Sequence, residues 1–122
     1  MKICFVIPMY KDEVNLKKLY KKIKKKFLFK KIKLYFVVIN DGSEDKFNYL
    51  KSISNLRLIN LKINVGSQKA IQIGINYALK SDIIFEYIII MDSDGEDDPK
   101  YILPMIKKSK NKKNKAVIFA SR

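Results

Sequence analysis

The chain has 122 residues, of which 26 are lysine or arginine and 12 aspartate or glutamate, for a net charge of +14, and 48% of it is hydrophobic. This is enough apolar material for one packed domain. The lack of histidine and the presence of a single cysteine, Cys4, exclude imidazole acid–base chemistry, disulfides and a Cys/His zinc site. No apolar stretch approaches the roughly 20 residues of a membrane span, and Ile3 to Ile7 is too short for the core of a secretory signal.

Two periodicities alternate along the chain. Residues 2–7 read as a buried strand. From Asp12 to Phe27 the apolar positions Leu16, Leu19, Tyr20, Ile23 and Phe27 follow helical spacing and predict an amphipathic helix. Leu34 to Ile39 is a β-branched and aromatic strand. A short helix is expected next, with Ser43 as its N-cap and Phe47, Leu50 and Ile53 on its inner face. Leu56 to Leu61 reads as a strand, Ser67 to Lys80 as a helix carrying Ala70, Ile71, Gly74, Ile75 and Ala78 inward, and Phe85 to Met91 as a strand. A helix from Lys100 to Ser109, started by Pro99, and a fifth strand from Ala116 to Ala120 complete the order. Continuous apolar strands separated by amphipathic helices imply an α/β fold, with a mostly parallel sheet covered on both faces.

In such sheets ligands bind beyond the carboxyl ends of the strands. Polar residues and glycines gather at those ends: Pro8 to Glu13, Asn40-Asp41-Gly42-Ser43, Asn64-Val65-Gly66-Ser67-Gln68, and Ser121-Arg122. The fourth strand ends in Asp92-Ser93-Asp94-Gly95-Glu96-Asp97-Asp98, five acids within seven positions of a basic chain. Carboxylates this close repel one another unless a cation screens them. Asp92 and Asp94, two residues apart past a strand, suit one hard divalent cation such as Mg2+ or Mn2+. Asp97 and Asp98 fit the favourable field at the start of the next helix. The spacing does not match an EF-hand, and neither a Gly-x-Gly-x-x-Gly nor a P-loop occurs.

Taken together, these segments resemble family 2 glycosyltransferases. Val6 to Leu16 is similar to the family's opening motif, Asn40 to Asp45 to its Asp-Asp-Gly-Ser turn, and Asn64 to Ala78 to its third-strand loop and helix. Met91 to Pro99 is similar to its DxD segment, most like the polyprenyl-phosphate (dolichol-phosphate mannosyltransferase-like) branch, and Ala120-Ser121-Arg122 to its Gly-Ser-Arg. The resemblance implies a Rossmann-like GT-A nucleotide-sugar domain over residues 1–122, corresponding to the N-terminal part of the family's catalytic domain. Pro8, Tyr10 and Glu13 would line the base and ribose pocket, and Asp41 would hydrogen-bond the base. Asp92 and Asp94 would hold the diphosphate through Mg2+ or Mn2+. Glu96 occupies the place of a further metal-binding residue, and Arg122 would approach a phosphate. Two positions depart from the pattern: Lys11 stands for the usual Asn, and Asn40 for the first Asp of the turn.

The acceptor-side half of the family domain, with its general base, has no counterpart in these residues. The expectation is a chain that binds a UDP- or GDP-linked sugar, transfers none by itself, and relies on a partner chain or further sequence for the acceptor side. A lipid-phosphate acceptor follows from the branch it resembles. The ten lysines of Lys17 to Lys33 and the six of Lys107 to Lys115 suggest solvated basic faces with peripheral membrane contact. With the lone thiol, this places the expected location in the cytoplasm, at the cytoplasmic membrane face; no nucleic acid is expected. Two other readings compete. Ile88 to Gly95 also resembles the strand and Asp-x-Asp-Gly of haloacid-dehalogenase-like phosphatases, and the charge alone would suit a basic nucleic-acid or membrane-surface module.

Overall fold

A computed structural model describes residues 1–28, 30–44, 47–93, 99–109 and 116–119. Among the described residues the apolar runs form five strands: β1 (Lys2–Met9), β2 (Lys33–Asn40), β3 (Leu56–Asn60), β4 (Tyr87–Ile90) and β5 (Ala116–Phe119). Between them lie α1 (Glu13–Lys26), α2 (Asn48–Lys51), α3 (Ser67–Lys80) and α4 (Ile102–Ser109), the last entered through a 3-10 turn at Pro99–Tyr101. The strands make one sheet in the order β3-β2-β1-β4-β5, and every neighbouring pair is parallel.

Strand side chains alternate between faces, and the core divides accordingly. Ile3, Phe5, Ile7 and Met9 of β1 face one layer with Phe36, Ile89 and the buried residues of α1, α2 and α4. Within it Phe5 stacks on Phe36 at 5.3 Å between ring centroids, and Phe27 meets Phe5 edge-on at 6.3 Å. Cys4 and Val6 face the other layer with Val37, Ile39, Ile88 and Ile90, under α3. That helix presents Ala70, Gly74 and Ala78 to the sheet. A Cβ on Gly74 would lie 2.5 Å from both Ile39 Cδ1 and Val6 Cγ1, so the small-residue stripe allows α3 to sit close over β1 and β2. Both faces of the sheet are covered, as expected.

The short second helix departs from expectation. It runs only from Asn48 to Lys51, Phe47 holds the N-cap position without a side-chain capping bond, and Ile53 packs against the core from beyond its end. Ser43 is not its cap. Asn40 takes both donors of Ser43, the backbone N–H at 3.2 Å and the hydroxyl, on its side-chain oxygen. With Asn40 buried at the end of β2, that bond replaces the cap.

Burial also sets the chemistry of Cys4. Its side chain is fully enclosed, and desolvation pushes the thiol up to about 12 from an ordinary value of 9.0. Alkylation by iodoacetamide is therefore expected only after unfolding, and rapid labelling of the folded chain would refute the buried placement. The folded state holds this proton more tightly than the unfolded one. The contribution is thus intact below pH 9 and is lost as pH rises from about 9 towards 12. Urea melts of Cys4→Ala should lack that part of the alkaline decline.

Candidate functional site

β1 lies between β2 and β4, and the chain moves outward in opposite directions on its two sides, so the switch in strand order falls between β1 and β4. Pro8 helps to open the sheet there. The even-numbered carbonyls of Lys2 and Val6 accept N–H bonds from Glu86 and Met91 of the β4 segment, whereas Met9 O accepts from Asp41 at the end of β2. Pairing between β1 and β4 stops at Val6 and Ile90. The missing N–H of Pro8 therefore falls on the β4 side, past the last paired residue.

Beyond this point lies a crevice of about 460 Å3, lined by Pro8 and Met9 of β1 and Tyr10 just after it, Asp41 after β2, Asn64, Gly66 and Ser67 before and at the start of α3, and Asp92 and Ser93 after β4. Four of the expected site residues, Pro8, Tyr10, Asp41 and Asp92, meet here. Glu13 begins α1 and does not line the crevice. Asp94, Glu96 and Arg122 lie outside the described residues.

The walls are held by carboxylates. Asp41 is buried, and its two oxygens accept the backbone N–H groups of Val65 at 2.7 Å and Gly66 at 3.0 Å. Asn64 closes the same turn by donating its amide to the Asp41 carbonyl at 3.2 Å. Two of the carboxylate's roughly four lone-pair sites are used in this way, which fixes the loop at the entry of α3 against the end of β2. Asp41 thus builds the wall as well as lining it. Gly66, at φ +92°, precedes α3, so that helix starts at the crevice with its unpaired N–H end.

Asn40, in the place of the motif's first Asp, has a structural role of its own. Its amide nitrogen donates to Ser43 O at 2.8 Å and to Asn60 Oδ1 at 3.0 Å, while its oxygen accepts from Ser43. An aspartate could make only the accepting half of this set. Lys11, the other departure, adopts φ 51°, a left-handed conformation that asparagine takes more readily than lysine. Its ammonium lies 5.2 Å from the ring centroid of Tyr10.

Asp12 emerges as a site residue that spacing alone does not mark. One oxygen accepts from Asn15 at 2.8 Å, at the start of α1, and the other from Ser93 Oγ at 3.1 Å. It therefore ties the β1–α1 loop to the residue beside Asp92, across the switch point. The only sequence signal is an Asp-x-x-Asn helix start, which reads as ordinary capping.

Residues 4–122 match the model of glycosyl transferase family 2. The chain belongs to that family. Among family relatives, it is 28% identical to the uncharacterized glycosyltransferase sll0501 of Synechocystis, over all of this chain and 38% of the relative. It is 30% identical to the uncharacterized glycosyltransferase YkcC of Bacillus subtilis, over 96% of this chain and 36% of that one. It is also 30% identical to the dolichyl-phosphate beta-glucosyltransferase ALG5A of Trichomonas vaginalis, over 98% of this chain and 40% of that one. The crystal structure of S. aureus TarS residues 1–349 superposes with a TM-score of 0.64 at 19% identity, covering 89% of this chain and 32% of that one. This likeness supports the GT-A, Rossmann-like fold. The chain thus spans about two fifths of the length of the curated family relatives it matches.

Proposed function

We propose that these residues form the donor half of a glycosyltransferase, which takes a nucleotide-diphosphate sugar into the crevice beyond β1, β2 and β4. The observation that carries this reading is the convergence of Pro8, Tyr10, Asp41 and Asp92 on one crevice at the switch point, where the N-terminal end of α3 also opens. Tyr10, 46% exposed at the mouth, offers an aromatic face to the base. The α3 terminus and the backbone around Gly66 suit a phosphate.

Asp92, an exposed carboxylate lining the crevice, supplies one hard oxygen ligand. Asp94 and Glu96 are the proposed companions on sequence grounds. An all-oxygen donor set fits Mg2+ or Mn2+. When bound, such an ion would offset negative charge on the diphosphate leaving group. The Asp12–Ser93 hydrogen bond would hold the turn that carries Asp92 in register with the β1 loop. The transferred sugar's acceptor is proposed to be a polyprenyl phosphate, a reading supported by the dolichyl-phosphate name of the Trichomonas relative. Arg122 is proposed to approach a phosphate.

Calorimetric titration of UDP and GDP with and without Mn2+ tests the reading. One of the two should bind measurably only with the metal, and Asp92→Asn should weaken that binding about tenfold or more. Equal affinity with and without Mn2+, or no effect of Asp92→Asn, would refute the metal-held donor. The phosphatase reading finds no support in the match to glycosyl transferase family 2 over residues 4–122.

A further inference from the structure

The lysines are not spread evenly over the solvated faces. α1 and α3 are both 14 residues long. Among the exposed positions of α1 six of seven are lysine, and on α3 two of eight. A composition rich in lysine everywhere would not separate two equal helices on opposite faces of one sheet in this way.

The outward stripe of α1 is also ordered. Val14, Lys18, Lys21, Lys25 and Leu28 recur at steps of four and three, on the side opposite the buried Leu16, Leu19 and Ile23. The turn continues past the helix, with Leu28 N–H donating to Lys25 O at 3.3 Å. Val14 and Leu28 are 69% and 65% exposed, so an apolar tip stands at each end of a row of ammonium groups. No acidic residue occurs between Glu13 and Asp41. Alongside the stripe, Lys22, Lys25 and Lys26 of α1 meet Pro99 and Lys100 around a groove of about 370 Å3, in which the described lining residues include no acid.

We propose that the outer face of α1 docks the protein flat on an anionic phospholipid bilayer, with the lysine row and its groove on the headgroup phosphates and Val14 and Leu28 among the upper acyl carbons. Charge complementarity selects the phosphate layer. The apolar tips select a bilayer over a nucleic acid, which has no apolar layer to receive them. Because α1 starts beside Asp12, at the crevice edge, docking along its length brings the crevice to the membrane side-on. The docking rests on the charge and exposure of α1 and is independent of the donor chemistry proposed above.

Vesicle co-sedimentation of the full chain tests this. Binding is expected to vesicles containing phosphatidylglycerol and not to phosphatidylcholine alone, and to fall steeply with added salt. Replacing Lys18, Lys21 and Lys25 together by Gln should lower partitioning on the order of a hundredfold, from about fivefold per lysine. Arginine at the same three positions should restore it. Lys69→Gln with Lys80→Gln on α3 should leave it unchanged, as should Asp92→Asn, which separates this outcome from failure of nucleotide binding. Unchanged partitioning of the α1 variant, an equal loss from the α3 pair, or tighter binding to duplex RNA than to the anionic vesicles would overturn the proposal.

Discussion

Gly42→Ala is expected to cost roughly 4 kcal/mol of stability, the combined effect of a strained left-handed residue and a backbone clash. Gly42 has φ +87°, and its N–H turns back to Asn40 O at 2.9 Å. A Cβ built there would lie 2.5 Å from Asn64 N and 2.7 Å from the Ile63 carbonyl carbon. These are main-chain atoms, and they cannot swing aside as a side chain would. Gly66→Ala is the informative control. Gly66 has φ +92° and ψ 154°, a backbone region nearly confined to glycine, but nothing lies within 4 Å of its added Cβ, so it carries a conformational cost of about 1–3 kcal/mol without the clash. Urea denaturation of both variants separates the two effects. Equal losses would mean that the β2 and β3 loops are not packed against each other as described.

Asp41→Asn should cost about 3 kcal/mol and loosen the crevice wall. The carboxylate accepts from Val65 and Gly66 with separate oxygens, and charge-assisted bonds of this kind are worth about 1.5–3 kcal/mol each. An asparagine keeps one acceptor and turns its NH2 towards the other N–H, leaving two donors facing one another. The expected result is a lower urea midpoint together with faster amide exchange at Val65 and Gly66. Slow exchange at both positions in the variant would show that the loop is held by something other than Asp41.

Much of the fold was legible because burial on both sheet faces leaves a plain mark. Ile3 to Ile7, Leu34 to Ile39 and Phe85 to Met91 read as strands since nearly every side chain there must be apolar, and α3 begins and ends where its spacing predicts. The crevice was legible through the polar strand ends: Pro8, Tyr10, Asp41 and Asp92 come from three strands and meet as expected. Ser43 was misread because Ser before an apolar helix is a local signal, and a buried Asn40 outcompeted it. Glu13 lies on the right segment but falls on the helix, outside the lining. The link from Asp12 to Ser93 joins residues 81 positions apart. A one-dimensional pattern carries no trace of such a contact until the sheet order is known. The double use of Asp41, as lining and as loop anchor, was hidden for the same reason, since its partners lie 24 and 25 positions away.

The placement of β1 at the middle of an all-parallel sheet has a consequence for how the chain comes to be folded. β1 is made before the other four strands, yet Ile3 pairs with Tyr87 on one side and with Leu34 on the other. During synthesis β1 and β2 can associate early, but the other edge of β1 stays open until the chain has grown through Ile90. An apolar strand with unsatisfied backbone groups is a template for pairing with other chains. Folding should therefore be slow for a chain of this length, because the decisive contacts are distant ones. Its vulnerable species is the nascent β1–α3 segment, which has three strands in place and its central strand still half unpaired.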